Sequence, residues 1–209
     1  MKAGEAGESA PLSRLGVFCG SSLGRRREYA QAAEALGALL ARRGNTLVYG
    51  GGSVGLMGVL ARSVLAAGGK VIGVIPQHLQ ERVERLPPGA RVGLAAARLE
   101  VVPDMHARKR RMYELADGFL VLPGGIGTVE EFFEAYTWCQ LGLHLKPIGL
   151  LDTAGYFQPL LVFLDAMVEQ GFLSAAHRAS LLVDARPEEL LEALGRYRPV
   201  YVDKLEPEG

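Results

Sequence analysis

Apolar and polar positions along the chain follow two alternating periods. Short, nearly continuous apolar runs sit at Leu15-Gly16-Val17-Phe18-Cys19, Thr46-Leu47-Val48-Tyr49, 71–75, 99–102, 118–122, 148–151 and 181–183. Most are bounded by glycine, proline or asparagine, as buried strands are. Between them lie longer segments whose apolar residues return every three or four positions. The segment 26–43 is one, with Ala30, Ala33, Leu36, Leu39 and Leu40 on one face and Arg or Glu on the other. The same spacing predicts helices ending near 67, over 105–116, 129–141 and 156–170, and over 187–194. Gly44-Asn45 and Gly68-Gly69 supply the stops. The segment 76–97 has no clear period, contains Pro87-Pro88-Gly89 and mixes Glu81, Arg82, Glu84 and Arg85. It is expected to be a long loop serving as a lid or an interface.

Strand and helix alternate throughout, and the strands lack a polar face. Both features predict a single α/β domain, a doubly wound, Rossmann-like parallel sheet with helices on both sides. It is expected over 14–198, between a disordered leader at 1–13 and a tail at 199–209. Such sheets bind ligands at the carboxyl ends of their strands. Here the strands ending at Cys19, Tyr49 and Leu122 all run into glycine-rich turns, so those turns are expected to converge.

Composition narrows the partners. Lys+Arg and Asp+Glu are both 23 in 209 residues, so the formal net charge is zero. No general attraction to nucleic acid or to an anionic membrane follows. No apolar run approaches the roughly 18 residues of a membrane helix, and 1–13 has no apolar signal-peptide core. Cys19 and Cys139 lie far apart without CxxC spacing, which fits a reducing cytoplasm. His78, His106, His144 and His177 are scattered without HxH or HExxH spacing, so no metal site is expected. There is no G-x-S-x-G elbow. Lys109 and Lys146 have nothing around them that marks a Schiff-base lysine, and no cofactor is expected.

The chemistry concentrates in Pro123-Gly124-Gly125-Ile126-Gly127-Thr128-Val129-Glu130-Glu131. A strand that stops in this turn and restarts as a helix presents unpaired N–H groups and a positive dipole end, which suits a phosphate. Carboxylates follow directly. Thr128-x-x-Glu131 also has the spacing of a capping box, in which Glu131 would only bond back to the helix start; spacing leaves both readings open. Gly50-x-Gly52-x-x-Gly55 matches the dinucleotide fingerprint, but the strand 71–75 ends without the confirming acid. This turn is therefore expected to contact phosphate or ribose, not NAD. The run Met105-His106-Ala107-Arg108-Lys109-Arg110-Arg111 places four cations near a helix start, against the dipole. An anionic ligand or buried carboxylates should compensate.

Taken together, Pro-Gly-Gly-x-Gly-Thr-x-x-Glu at 123–131 and Met-His-x-Arg-Lys at 105–109 resemble the LOG ("Lonely Guy") family of cytokinin riboside 5′-monophosphate phosphoribohydrolases. Cys19-Gly-Ser-Ser22, the turn at 49–58, Thr137-Trp-Cys-Gln-Leu-Gly142 and Lys146-Pro147 support it, and the likeness runs from about 15 to 182. The resemblance implies an N-glycosidase that releases an N6-substituted adenine, or adenine itself, from the ribose 5-phosphate of a nucleoside monophosphate. It implies Arg108 and Glu131 as the catalytic residues. Lys109, Gly124, Gly125, Ile126, Gly127, Thr128, Glu130 and Thr137 would contact the nucleotide, joined by Ser22, Gly51 and Gly52 from the other turns. It also implies a homodimer, with which the many large apolar groups of 132–141 agree. Ile126 stands where many relatives carry Tyr. A glutamate of the 76–97 loop that contacts ligand in the family could be Glu81 or Glu84. A second reading is a carrier on the same fold, similar to molybdenum-cofactor carriers, which needs the glycine cradle but not the Arg108 and Glu131 pair.

Overall fold

The computed structural model describes residues 12–84 and 97–200. Residues 1–11, most of the 76–97 segment and 201–209 lie outside the described residues. Among the described residues, seven strands form one sheet in the order β4-β3-β2-β1-β5-β6-β7, with every adjacent pair parallel. They are β1 (Arg14–Phe18), β2 (Thr46–Tyr49), β3 (Lys70–Pro76), β4 (Arg98–Val102), β5 (Gly118–Val121), β6 (Ile148–Leu151) and β7 (Leu182–Asp184). The connecting helices are α1 (Arg27–Arg42), α2 (Gly55–Ala66), α3 (Gln77–Glu84), α4 (Met105–Leu115), α5 (Ile126–Gln140), α6 (Gln158–Glu169), α7 (Ala175–Ser180) and α8 (Pro187–Arg196). This is the doubly wound, Rossmann-like α/β fold the alternation predicts.

The strands are apolar on both faces because both are covered. Leu15, Val17, Leu47, Tyr49, Leu120 and Leu122 pack against α1, α2 and α8. Their neighbours Phe18, Val48, Phe119 and Val121 pack against α4, α5 and α6. The period of two along each strand thus divides one chain between two cores. β1 and β5 are adjacent, yet the helices that follow them cover opposite faces. Their carboxyl ends therefore diverge and leave a crevice, the switch point of such sheets.

Two predicted boundaries move by more than two residues, and α7 (Ala175–Ser180) lies where no element is predicted. The segment after Pro76 is not irregular from its start: Gln77–Glu84 is α3. Leu79 and Val83 are its only large apolar residues, too few to carry a period. The helix predicted from 129 begins at Ile126 instead, with Gly125 as its N-cap. The glycines hid its first turn, because they lower helix propensity without forbidding the conformation.

Candidate active site

The three glycine turns do converge. The Gly20 N–H donates to Pro123 O (3.1 Å) and the Met57 N–H donates to Gly20 O (3.3 Å), tying the ends of β1, β2 and β5 together. Gly55 has φ +61°, and a Cβ there would fall 2.2 Å from the carbonyl carbon of Ser21. The turns could not close this tightly around a side chain. A cleft of about 200 Å³ opens on the α1 side of the crevice, lined by Ser21, Ser22, Tyr29, Gly124, Gly125 and Tyr156 among others.

On the α4 side lies a buried ion pair. Arg108 and Glu131 are each 10% exposed, and Arg108 Nη1 donates to Glu131 Oε1 at 2.9 Å. Arg108 Nε donates to Val74 O (3.2 Å) at the end of β3, so the guanidinium is anchored at two points. Gly50 makes room for it: a Cβ at Gly50 would stand 1.6 Å from Arg108 Nη2. Burial pushes the Glu131 carboxyl above its ordinary value of 4.5, and the Arg108 charge and hydrogen bond pull it back. The pair joins α4, α5, β2 and β3 at one point.

A second cation answers the rest of the expected compensation. Lys109 is buried and its Nζ contacts Glu130 Oε1 and, at 3.0 Å, Glu134 Oε1. Burial disfavours its charge, but the hydrogen bonds to Glu130 and Glu134 more than offset this and raise its pKa. Tyr113 Oη donates to Glu134 Oε2 (2.8 Å). Arg111 Nε donates to Glu100 Oε2 (2.6 Å) on β4. Asp104 caps α4, its Oδ1 accepting from the Ala107 N–H (2.8 Å). Arg108, Lys109 and Arg111 therefore sit at the start of α4 because acids, chiefly from α5 and β4, pair with them, while Arg110 is exposed to water.

The capping-box reading fails on geometry. The Val129 N–H donates to Gly125 O (3.1 Å), making Thr128 the third residue of α5 and not its cap. Glu131 is in the second turn and bonds Arg108 instead. The donors free for a ligand are the amides of Gly125, Ile126, Gly127 and Thr128. Thr128 is buried against Gly124, where a Cβ would meet its Oγ1 at 2.1 Å. Ile126 projects outward, 87% exposed, beside exposed Gly127. Ser22 is at the cleft, its Oγ accepting from the Gly24 N–H (3.4 Å). A Cβ at Gly51, which has φ +72°, would stand 3.0 Å from Ile75 Cβ, and one at Gly52 2.7 Å from Met57 Cε, so neither position of the turn has room for a side chain. Thr137 is not gathered with the others: it is exposed, further along α5 on the stripe of Glu130 and Glu134.

Sequence reasoning missed three contributors. Glu134 carries no motif, yet it shares Lys109 with Glu130, four residues before it. Gly50 was read as part of a phosphate turn, yet what its missing side chain admits is Arg108. Tyr156 carried no signal; its hydroxyl donates to Gly124 O (2.5 Å).

Other nucleophiles are poorly placed. Burial pushes the Cys19 thiol far up, and the nearby Glu131 charge adds to this, so Cys19 is a neutral thiol. Lys109 is held charged between carboxylates. Lys146 is depressed by burial, but its Nζ donates to Tyr113 O, and Pro147 meets β5 at its amino end, through Phe119 N–H to Pro147 O (2.9 Å). Neither suits a pyridoxal Schiff base, which wants a neutral amine at the ligand site. Among the described residues no group of three or more His, Cys, Asp or Glu is arranged to hold a metal ion, and no helix is long and apolar enough to cross a membrane.

Residues 57–194 match a family described as possible lysine decarboxylase. The amines above do not fit that description, and the named relatives do not share it. A probable cytokinin riboside 5′-monophosphate phosphoribohydrolase, LOGL6 of Oryza sativa subsp. japonica, is 45% identical over 194 residues, 93% of this chain and 74% of its own. Cytokinin riboside 5′-monophosphate phosphoribohydrolase LOG3 of Arabidopsis thaliana is 42% identical over 198 residues, 95% of this chain and 89% of its own. Among solved structures, the molybdenum cofactor carrier protein of Chlamydomonas reinhardtii superposes with a TM-score of 0.61 at 22% identity, covering 88% of this chain and 96% of its own; that likeness is one of fold. With more than 40% identity to these relatives over more than nine-tenths of its length, the chain belongs to the LOG family.

Proposed function

We propose that the protein hydrolyses the N-glycosidic bond of N6-substituted adenosine 5′-monophosphates, giving the free base and ribose 5-phosphate. One observation carries the reading beyond kinship: the buried Arg108–Glu131 pair stands beside a glycine cradle whose helix start offers free amides. The amides of 125–128, with Ser22 and the turn at 51–52, hold the phosphate, and this remote grip positions the ribose. Breaking C1′–N9 develops positive charge on the sugar. The Glu131 carboxylate stabilises that charge and takes a proton from the water that attacks C1′, while N9 leaves with the bonding pair and takes one proton from solvent; Glu131 then returns its proton to solvent, which closes the balance. Arg108 orients the carboxylate and keeps it ionised in a buried setting. Half-exposed Glu130, paired with the buried Lys109 behind it, faces the nucleotide, and Lys109 contacts it from the same pair.

We also propose a homodimer. The large apolar groups of 132–141 divide between core and surface: Phe132 and Tyr136 are buried within the chain, whereas Leu141 is exposed. Leu143, Val162, Phe163 and Phe172 are exposed as well, Phe172 by 84%, and large apolar groups left in water are what a second copy would cover. Thr137 lies next to this region of α5 and would meet nucleotide only if a second copy closed over it.

The test is release of base and ribose 5-phosphate from AMP and from isopentenyladenosine monophosphate, followed by chromatography. Turnover is expected with at least one, and Glu131→Gln should lower kcat by about a hundredfold or more with nucleotide affinity changed less than about threefold. Binding of nucleotides without release by the unmodified protein would favour the carrier reading suggested by the shared fold.

A further inference from the structure

The peptide between Gly124 and Gly125 joins two residues without Cβ atoms, so nothing local stops it turning over. Its carbonyl is nevertheless held, by the Tyr156 hydroxyl at 2.5 Å. In a trans peptide the C=O and N–H point in opposite directions. The bond to Gly124 O therefore also aims the Gly125 N–H, the first of the free donors at the start of α5.

Tyr156 is itself fixed from several sides. Its ring meets Tyr29 edge-on at 5.6 Å and Phe157 at 5.1 Å. Its N–H donates to Thr153 O (3.2 Å), closing the short turn Thr153–Gly155 in which Ala154 has φ 56°. Alanine adopts that left-handed conformation only at a cost. One distant group and two local bonds brace it: Arg26 Nη1 donates to Ala154 O (3.2 Å), and Asp152 accepts from the Phe157 N–H (2.6 Å) and from Gln158 Nε2 (2.5 Å) across the turn. The residue is 38% exposed, so its hydroxyl could be satisfied by water and needs no protein partner. A strained, braced turn that delivers one exposed hydroxyl to one carbonyl is hard to explain by packing.

We infer that Tyr156 is a positioning residue for phosphate: its hydroxyl locks the Gly124–Gly125 peptide so that the amides at the start of α5 are arranged before ligand arrives. The inference rests on the proposed reading only in taking the phosphate monoester of a nucleotide as the ligand. It requires that loss of the hydroxyl be felt by phosphorylated ligands alone.

The experiment compares the unmodified protein with Tyr156→Phe, which keeps the ring contacts. Ribose 5-phosphate, AMP and adenosine are titrated by calorimetry, alongside thermal unfolding and steady-state kinetics. Tyr156→Phe is expected to bind ribose 5-phosphate and AMP about five- to tenfold more weakly, to bind adenosine equally well, to change Tm by less than about 2 °C, and to raise KM with kcat within about twofold. Equal affinity of both proteins for ribose 5-phosphate would overturn the inference. So would an equal loss for all three ligands, which marks a structural role, and so would absence of ribose 5-phosphate binding to the unmodified protein. Ribose 5-phosphate binding that depends on Tyr156, in a protein that hydrolyses no nucleotide, would keep the inference and sink the hydrolase reading.

Discussion

The behaviour of Glu131 depends on how far its neighbour offsets its burial. Desolvation raises the carboxyl above 4.5 and Arg108 lowers it again. A raised carboxyl must still be ionised to support a developing cation, so activity should fall as pH drops through a value above 4.5. Arg108→Met removes the lowering influence. The acid limb of kcat/KM should then move to higher pH, and the plateau should fall by about a hundredfold. A limb that stays in place would show that Arg108 does not act through Glu131. This pair also marks the boundary of what residue-level reading could see. Arg108 and Glu131 were named from motifs, but their contact at 2.9 Å joins residues 23 positions apart and had no signature in spacing. The room that Gly50 leaves for the guanidinium was equally invisible.

At the scale of elements, α4 and α5 work as one unit. The start of α4 carries cations where a helix favours anions, and α5 returns two glutamates to Lys109 and one to Arg108. The Asp104 cap is part of the same balance: the Ala107 N–H holds its carboxylate below the ordinary value. Asp104→Ala should therefore lower Tm by about 2–4 °C, and activity should fall with it as the start of α4 frays and Arg108 loses its anchor. Unchanged activity alongside a lowered Tm would show that the site does not depend on that first turn. The cap and the cationic run were both legible, because each is a short-range feature. The start of α5 was not. Three glycines in five residues read as a turn, whereas the Gly20–Pro123 hydrogen bond and the close approach of Gly124 to Thr128 and Gly20 fix the chain just before a helix that already begins at Ile126.

For the whole molecule, the exposed apolar surface at Leu141, Leu143, Val162, Phe163 and Phe172 bears on assembly. Sedimentation velocity at micromolar concentration should give a dimer, and Phe163→Glu with Phe172→Glu should give a folded monomer. A monomer for the unmodified protein would remove the dimer reading and leave Thr137 without a role at the site.

The sequence by itself determined the fold and the place of the chemistry. Strand and helix periods, glycine turns at strand ends, and a parallel sheet that must collect those ends at one edge are consequences of local pattern and chain topology. What the tertiary structure alone decided is which side chains meet there. Whether Glu131 caps its own helix or faces Arg108 turned on a helix start three residues earlier than propensity suggests. Whether Gly50 touches phosphate or admits a guanidinium turned on the packing of α4 over β2 and β3. Tyr156 reaches Gly124 only because a strained turn after β6 is braced by the start of α1. Each of these contacts is between segments distant in the chain, and their energies depend on distances of an ångström or less that no residue pattern encodes.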